Sequence, residues 1–97
     1  MYKLIIPPKV EKTLKKLDKH ESKKIYNWLK NNIEGCSDPR QHGKALTANL
    51  SGLWRYRIED YRVIVKIVDD ELIIVAVSID HRKQIYKYIE SKCANEL

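Results

Sequence analysis

Residues 52–86, GLWRYRIEDYRVIVKIVDDELIIVAVSIDHRKQIY, constrain the fold of this chain more than any other stretch. Three runs rich in β-branched and aromatic residues, Leu53–Ile58, Tyr61–Val68 and Glu71–Ile79, are separated by Glu59-Asp60 and Asp69-Asp70. Hairpin-sized gaps between such runs predict a three-stranded antiparallel meander. Side chains alternate along a strand. Trp54, Tyr56 and Ile58 therefore share a face with Tyr61, Val63, Val65 and Ile67, which makes a good core face. Leu53, Arg55 and Arg57 share the opposite face with Arg62, Ile64 and Lys66.

A two-residue turn at Glu59-Asp60 pairs Ile58 with Tyr61 and sets Arg57 opposite Arg62. Like charges directly opposite one another destabilise a sheet. A sequence shaped by folding alone would avoid the pair, so three converging arginines point to an anion site, most simply one for a phosphate. For any single one of them a solvated outer face is the better account, and for the set the two readings weigh evenly. Arg82, just past the third run, adds a fourth. Glu-Asp lacks the Gly or Asn that a type I′ turn wants, and a longer or bulged turn would separate Arg57 from Arg62.

The rest of the chain supplies what covers the core face. Tyr2–Ile6 reads as a short strand, stopped by Pro7-Pro8, and proline suits a first helical turn. Val10, Leu14 and Leu17 then recur at helical spacing among lysines, which predicts an amphipathic helix over 8–17 with a basic outer side. Asp18 and Glu21 have the spacing of a capping box, with Asp in place of Ser or Thr, and open a second helix reaching Ile33. Its apolar stripe is Ile25, Trp28, Leu29 and Ile33, and Gly35 reads as its C′ residue. Residues 36–47 read as a polar loop holding Arg40, His42 and Lys44, where His42 is an exposed loop residue or, less simply, a base. Residues 87–97 read as a last helix, able to pack on the sheet or to lie over the arginine face. The expected fold is α+β: a strand and a helical hairpin packed on an antiparallel sheet, β-α-α-β-β-β, with a C-terminal helix.

Ninety-seven residues, 43% of them apolar, are enough for one domain (1–97) with a modest core. Lys and Arg number 19 against 13 Asp and Glu, a net charge of +6, which suits nucleic acid or an acidic protein as partner. Cys36 and Cys93 show no CxxC or CxxH spacing, so no metal site is expected, and their pairing stays open. With no signal peptide and no apolar run approaching about 18 residues, the expectation is a soluble cytoplasmic protein without membrane contact.

Gly52 followed by Leu53-Trp54-Arg55-x-Arg57, then Asp60-Tyr61-Arg62-Val63-Ile64, then a valine-rich strand ending His81-Arg82-x-x-Ile85-Tyr86, resembles the RelE/ParE superfamily of bacterial toxins, its RelE-like branch most of all. The resembling stretch runs from Gly43 to Tyr86, and the preceding strand and helix pair match the superfamily's start in order and length. The resemblance implies the toxin of a type II toxin–antitoxin pair, held inactive in a hetero-oligomer by a cognate antitoxin. RelE-like members cut mRNA in the ribosomal A site without a metal or other cofactor. ParE-like members poison DNA gyrase instead. A relative that only binds its antitoxin is the third alternative.

Carried over by position, the resemblance puts Arg55, Arg57, Arg62, Arg82 and Lys44 against the substrate phosphate, with Arg62 and Arg82 also counted as catalytic. Tyr86 falls on the tyrosine used in cleavage, and His81 where many relatives have histidine. Two departures stand out. RelE itself has lysines at the positions of Arg55 and Arg57, and Glu59 stands where relatives often have glycine. The first matters chemically. Cleavage by the 2′ hydroxyl needs a proton removed, charge on the phosphorane stabilised and the leaving oxygen protonated. Arginine, with a pKa above about 12, serves only the second need. Tyr86, its phenolate favoured by four arginines, is then the expected general base, and His81 an auxiliary acid or orienting group. Without catalysis, Tyr86 would pack the last helix and His81 would cap a strand end.

Overall fold

The computed structural model describes residues 1–81. Arg82, Tyr86, Cys93 and the expected C-terminal helix lie outside the described residues. The order of elements is β1 (Lys3–Ile5), α1 (Pro8–Lys16), α2 (Lys19–Asn32), β2 (Lys44–Ala45), β3 (Trp54–Ile58), β4 (Tyr61–Val68) and β5 (Ile73–His81). The sheet order is β1-β5-β4-β3-β2. This is the α+β arrangement expected, with the meander β3-β4-β5 antiparallel throughout. Two features enlarge it. β2 forms inside the expected loop and pairs antiparallel with β3, and β1 runs parallel to β5, so the whole sheet is mixed.

Both helices start and stop for local reasons. Pro8 stands in the first turn of α1, where its missing N–H has no partner to lose, and the Val10 and Glu11 amides each donate to the Pro7 carbonyl at 3.0 Å. Lys15 and Lys16 sit at the negative end of its dipole. Asp18 is the N-cap residue of α2, as its spacing suggested, but its carboxylate makes no capping hydrogen bond. The expected capping box is therefore not formed. At the other end the C-cap is Ile33, which puts Gly35 one position later than expected, at C″. Its φ of +76° is left-handed backbone that glycine takes without strain. That turn lets the Gly35 amide donate to the Tyr2 carbonyl at 2.8 Å and the Tyr2 amide to the Cys36 carbonyl at 2.9 Å, tying the helix end to β1.

The two helical stripes meet the expected sheet face. Val10, Leu14, Ile25, Leu29 and Ile33 pack with Tyr56, Ile58, Val63, Val65, Ile74, Ala76 and Ile79 in one buried cluster. Each large aliphatic there contributes roughly 1.5–3 kcal/mol of burial. Trp28 and Trp54 are half-buried at its margin. The Trp28 ring lies 5.6 Å from that of Tyr56, and Trp54 Nε1 donates to the His42 carbonyl. The Tyr56 hydroxyl donates to the Pro39 carbonyl at 2.6 Å, and burial pushes that phenol well above the usual range for tyrosine.

The meander has one irregularity. Val65 pairs with Ala76 but Ile64 pairs with Ser78, so Val77 is an extra residue in β5, a β-bulge. Val77 is 44% exposed. Past the bulge the two faces of β5 exchange: Ile79 joins the core opposite Val63, and Asp80 comes opposite Arg62. The β4–β5 connection is also longer than the expected dipeptide. Asp69–Glu71 forms a short 3-10 turn and Leu72 takes a left-handed φ of 54°.

Candidate phosphate-binding face

The site is built by register. Glu59-Asp60 does act as a two-residue turn: Ile58 pairs with Tyr61 and Arg57 with Arg62. Glu59 takes the left-handed φ (54°) that glycine would take more easily, and its carboxylate accepts from Lys24 Nζ at 3.2 Å. On the next strand over, Lys44 pairs with Arg55. Gly43 makes this pairing possible. Its φ is +79°, and a Cβ there would overlap the Arg55 carbonyl, so only glycine lets the loop lie this close to β3.

Residues paired across strands project to the same face. One row across the sheet is thus Lys44, Arg55, Ile64 and Ser78, and the row beside it is Arg57, Arg62 and Asp80. Neighbours within a row have Cβ atoms about 4.5–5.5 Å apart. Four cationic side chains foreseen as phosphate ligands therefore do converge on the face away from the helices. Their environments differ. Lys44 and Arg57 are exposed and Arg55 is half-buried, while Arg62 is only 3% exposed. Arg55 Nε is buried and makes no hydrogen bond among the described residues. A buried guanidinium N–H in that state is unusual in a finished core and natural in a site awaiting an anion.

His81 is not brought to this face. Its register partner is Tyr61, and the two rings meet edge to face at 5.5 Å, on the side of the sheet that carries the helices. The bulge is the cause: were Val77 paired with Ile64 in unbroken alternation, His81 would turn toward the arginines and Asp80 away from them. Asp80 is the residue that sequence reasoning missed. It is half-buried in the arginine row, and burial holds its carboxyl above the usual carboxylate range. A signal existed: unbroken alternation from Ile74 and Ala76 would put Ser78 in the core and leave Ile79 out of it.

The remaining basic residues of the 36–47 loop go elsewhere. Arg40 grips Asp69 with two hydrogen bonds, at 2.9 and 3.0 Å, and the Tyr2 hydroxyl donates to the same carboxylate at 2.7 Å. The Arg40 guanidinium, then the Tyr2 hydroxyl, hold the Asp69 carboxyl below its usual range. The His42 ring packs edge-on to Trp28 at 5.5 Å.

The structure thus defines a small α+β domain whose sheet is covered by a helical hairpin on one face and presents a cationic row, closed by one acid, on the other. Residues 4–86 match the family of ParE toxins of type II toxin–antitoxin systems, parDE. The chain is 35% identical over 88 residues to the protein named "Putative toxin RelE4" of Methanocaldococcus jannaschii, spanning 90% of this chain and 93% of that one. Its fold is similar to that of the toxin–antitoxin complex RelBE2 from Mycobacterium tuberculosis, with a TM-score of 0.75 at 23% identity, over 84% of this chain and 91% of that chain. It is also similar to the archaeal RelE–RelB complex from Pyrococcus horikoshii, with a TM-score of 0.63 at 26% identity, over 84% and 94% of the two chains. The chain belongs to the ParE toxin family of type II toxin–antitoxin systems, as a RelE-like member.

Proposed function

We propose that this toxin is an endoribonuclease that cuts mRNA on the ribosome, and that a cognate antitoxin binds it and holds it inactive. The observation that carries the reading is the Arg57–Arg62 pair within a row of cations on one sheet face. Two guanidinium groups placed directly opposite each other weaken the sheet, and a bound phosphate removes that repulsion. Arginine grips phosphate bidentately and stays charged while negative charge grows on the phosphorane. Lys44, Arg55, Arg57 and Arg62 are assigned to this task, with Arg82 proposed beside them. Tyr86 is proposed to transfer a proton; His81, expected as an auxiliary acid or orienting group, stands on the other side of the sheet beside Tyr61 and is assigned no contact with the substrate. The products would be a 2′,3′-cyclic phosphate and a 5′ hydroxyl.

The antitoxin reading rests on similarity to toxins seen in RelBE2 and RelE–RelB complexes, and on a net charge of +6 that an acidic or amphipathic segment would neutralise. It predicts a small adjacent reading frame whose product forms a tight complex with this chain. A toxin that stays unbound when mixed with that product would rule this out.

A second reading has its own support. The matching family is that of ParE toxins, and arginine stands at both positions where RelE has lysine, so inhibition of DNA gyrase by protein binding is the alternative. Mapping mRNA 5′ ends in cells after induction separates the two. Clustered cuts in translated frames are expected; gyrase-linked DNA breaks with intact mRNA would select the alternative.

A further inference from the structure

The bulge at Val77 does two things at once: it turns His81 onto the helix side, beside Tyr61, and it turns Asp80 onto the arginine side, opposite Arg62. Bulges recur next to active sites, where they re-aim a side chain. Among the described strand residues of that face, Lys44, Arg55, Arg57, Arg62, Ile64, Lys66, Val75 and Ser78, Asp80 is the single carboxylate. Resting on the nuclease reading above, we infer that Asp80 is the general base, taking the proton of the 2′ hydroxyl of the nucleotide whose phosphate is held by Arg57 and Arg62.

The geometry suits that task. Adjacent strands are about 4.8 Å apart, so a phosphate gripped from β3 and β4 lies one strand from the Asp80 carboxylate. Among the described residues, the charged groups facing Asp80 are Arg62 on β4 and, one strand further, Arg57 on β3; Ser78 is its polar neighbour on β5. β1 pairs with β5 only at Ile73, Ile74 and Val75 and brings no charge to it. Burial raises its carboxyl above the ordinary range, toward the pH at which the toxin works, which is the direction that improves a base.

In the step, the Asp80 carboxylate takes the 2′ proton and the freed electron pair of the 2′ oxygen forms a bond to phosphorus. The bond from phosphorus to the 5′ oxygen breaks, and its pair leaves with that oxygen. The leaving 5′ oxygen takes a proton from water, and the proton on Asp80 returns to solvent. No proton is gained or lost over the step.

The test uses the full-length toxin with mRNA-programmed ribosomes. Asp80→Asn keeps the shape of the side chain and is expected to lower kcat about 10²–10⁴-fold, with KM unchanged. In the wild type, kcat falls as pH drops through the raised Asp80 pKa, because the protonated acid cannot accept the 2′ proton. Asp80→Asn abolishes that limb and Asp80→Glu restores it. Asp80→Asn is also expected to be more stable than wild type at neutral pH, since it no longer buries a charge; a residue that merely braces the sheet would give the reverse. An Asp80→Asn toxin that keeps the wild-type pH profile at any rate, or loses only in KM, overturns the assignment while leaving the nuclease reading intact. A wild type that cuts no mRNA overturns both.

Discussion

At the scale of single residues, Arg57 separates folding from function most cleanly. It is exposed, and its cross-strand partner is another arginine. Arg57→Ala removes a charge placed in register opposite Arg62 and no core packing, so chemical denaturation should show unchanged stability, or a gain of a few tenths of a kcal/mol. On the nuclease reading, cleavage should nevertheless fall about 10²–10³-fold, the usual effect of removing one donor to developing charge. A variant both stable and fully toxic would make the arginine face an ordinary surface. Asp69 gives a different prediction, about pH. Arg40 and Tyr2 depress its folded pKa, so its contribution to stability is present above the unfolded value, near 3.9, and is lost as pH falls through the folded value. Urea midpoints of Asp69→Asn and wild type should therefore differ at neutral pH and converge in acid.

At the scale of elements, the bulge in β5 decides which side chains reach which face. Deleting Val77 would remove the extra residue and leave β5 in simple alternation, with Ile79 still in the core opposite Val63 and Asp80 still opposite Arg62. Ile79→Ala, by contrast, loses a buried side chain worth about 2–5 kcal/mol. The deletion should thus destabilise less than Ile79→Ala does, measured by thermal or urea unfolding. β2 depends on one residue in the same way. Gly43→Ala combines a left-handed φ with overlap on the Arg55 carbonyl, so it should release Lys44 from its register beside Arg55. Hydrogen exchange at Leu46, whose amide donates to the Leu53 carbonyl, would report that release.

At the scale of the whole molecule, the net charge of +6 draws both on the cations of the sheet face and on the lysines of α1. The lysines of α1 lie on the far side of the helical hairpin from the arginine row. Lys12 is exposed there. Lys12→Ala should leave the cleavage rate as it is and, at most, change the salt dependence of ribosome affinity by about one phosphate contact. Among the described residues no helix is long and apolar enough to cross a membrane.

Much of this was legible in the sequence because it depends on short-range rules. The period of two in Trp54–Val68 sorts core from arginine face, a dipeptide turn fixes the hairpin register, and that register alone brings Arg57 opposite Arg62. Helical spacing likewise located the stripes of α1 and α2. Other features were settled only when distant parts of the chain met. The parallel pairing of β1 with β5 joins residues some 70 positions apart and has no local signature. The place of Lys44 depends on Gly43 lying against β3. The choice between His81 and Asp80 for the arginine face depends on whether Ser78 or Ile79 is buried beneath the helices. Alternation along β5 favours the serine; burying the isoleucine is worth more, and the chain accommodates it by extruding Val77. A strand's own sequence sets the two faces it can offer, and only the packing above it decides where they exchange.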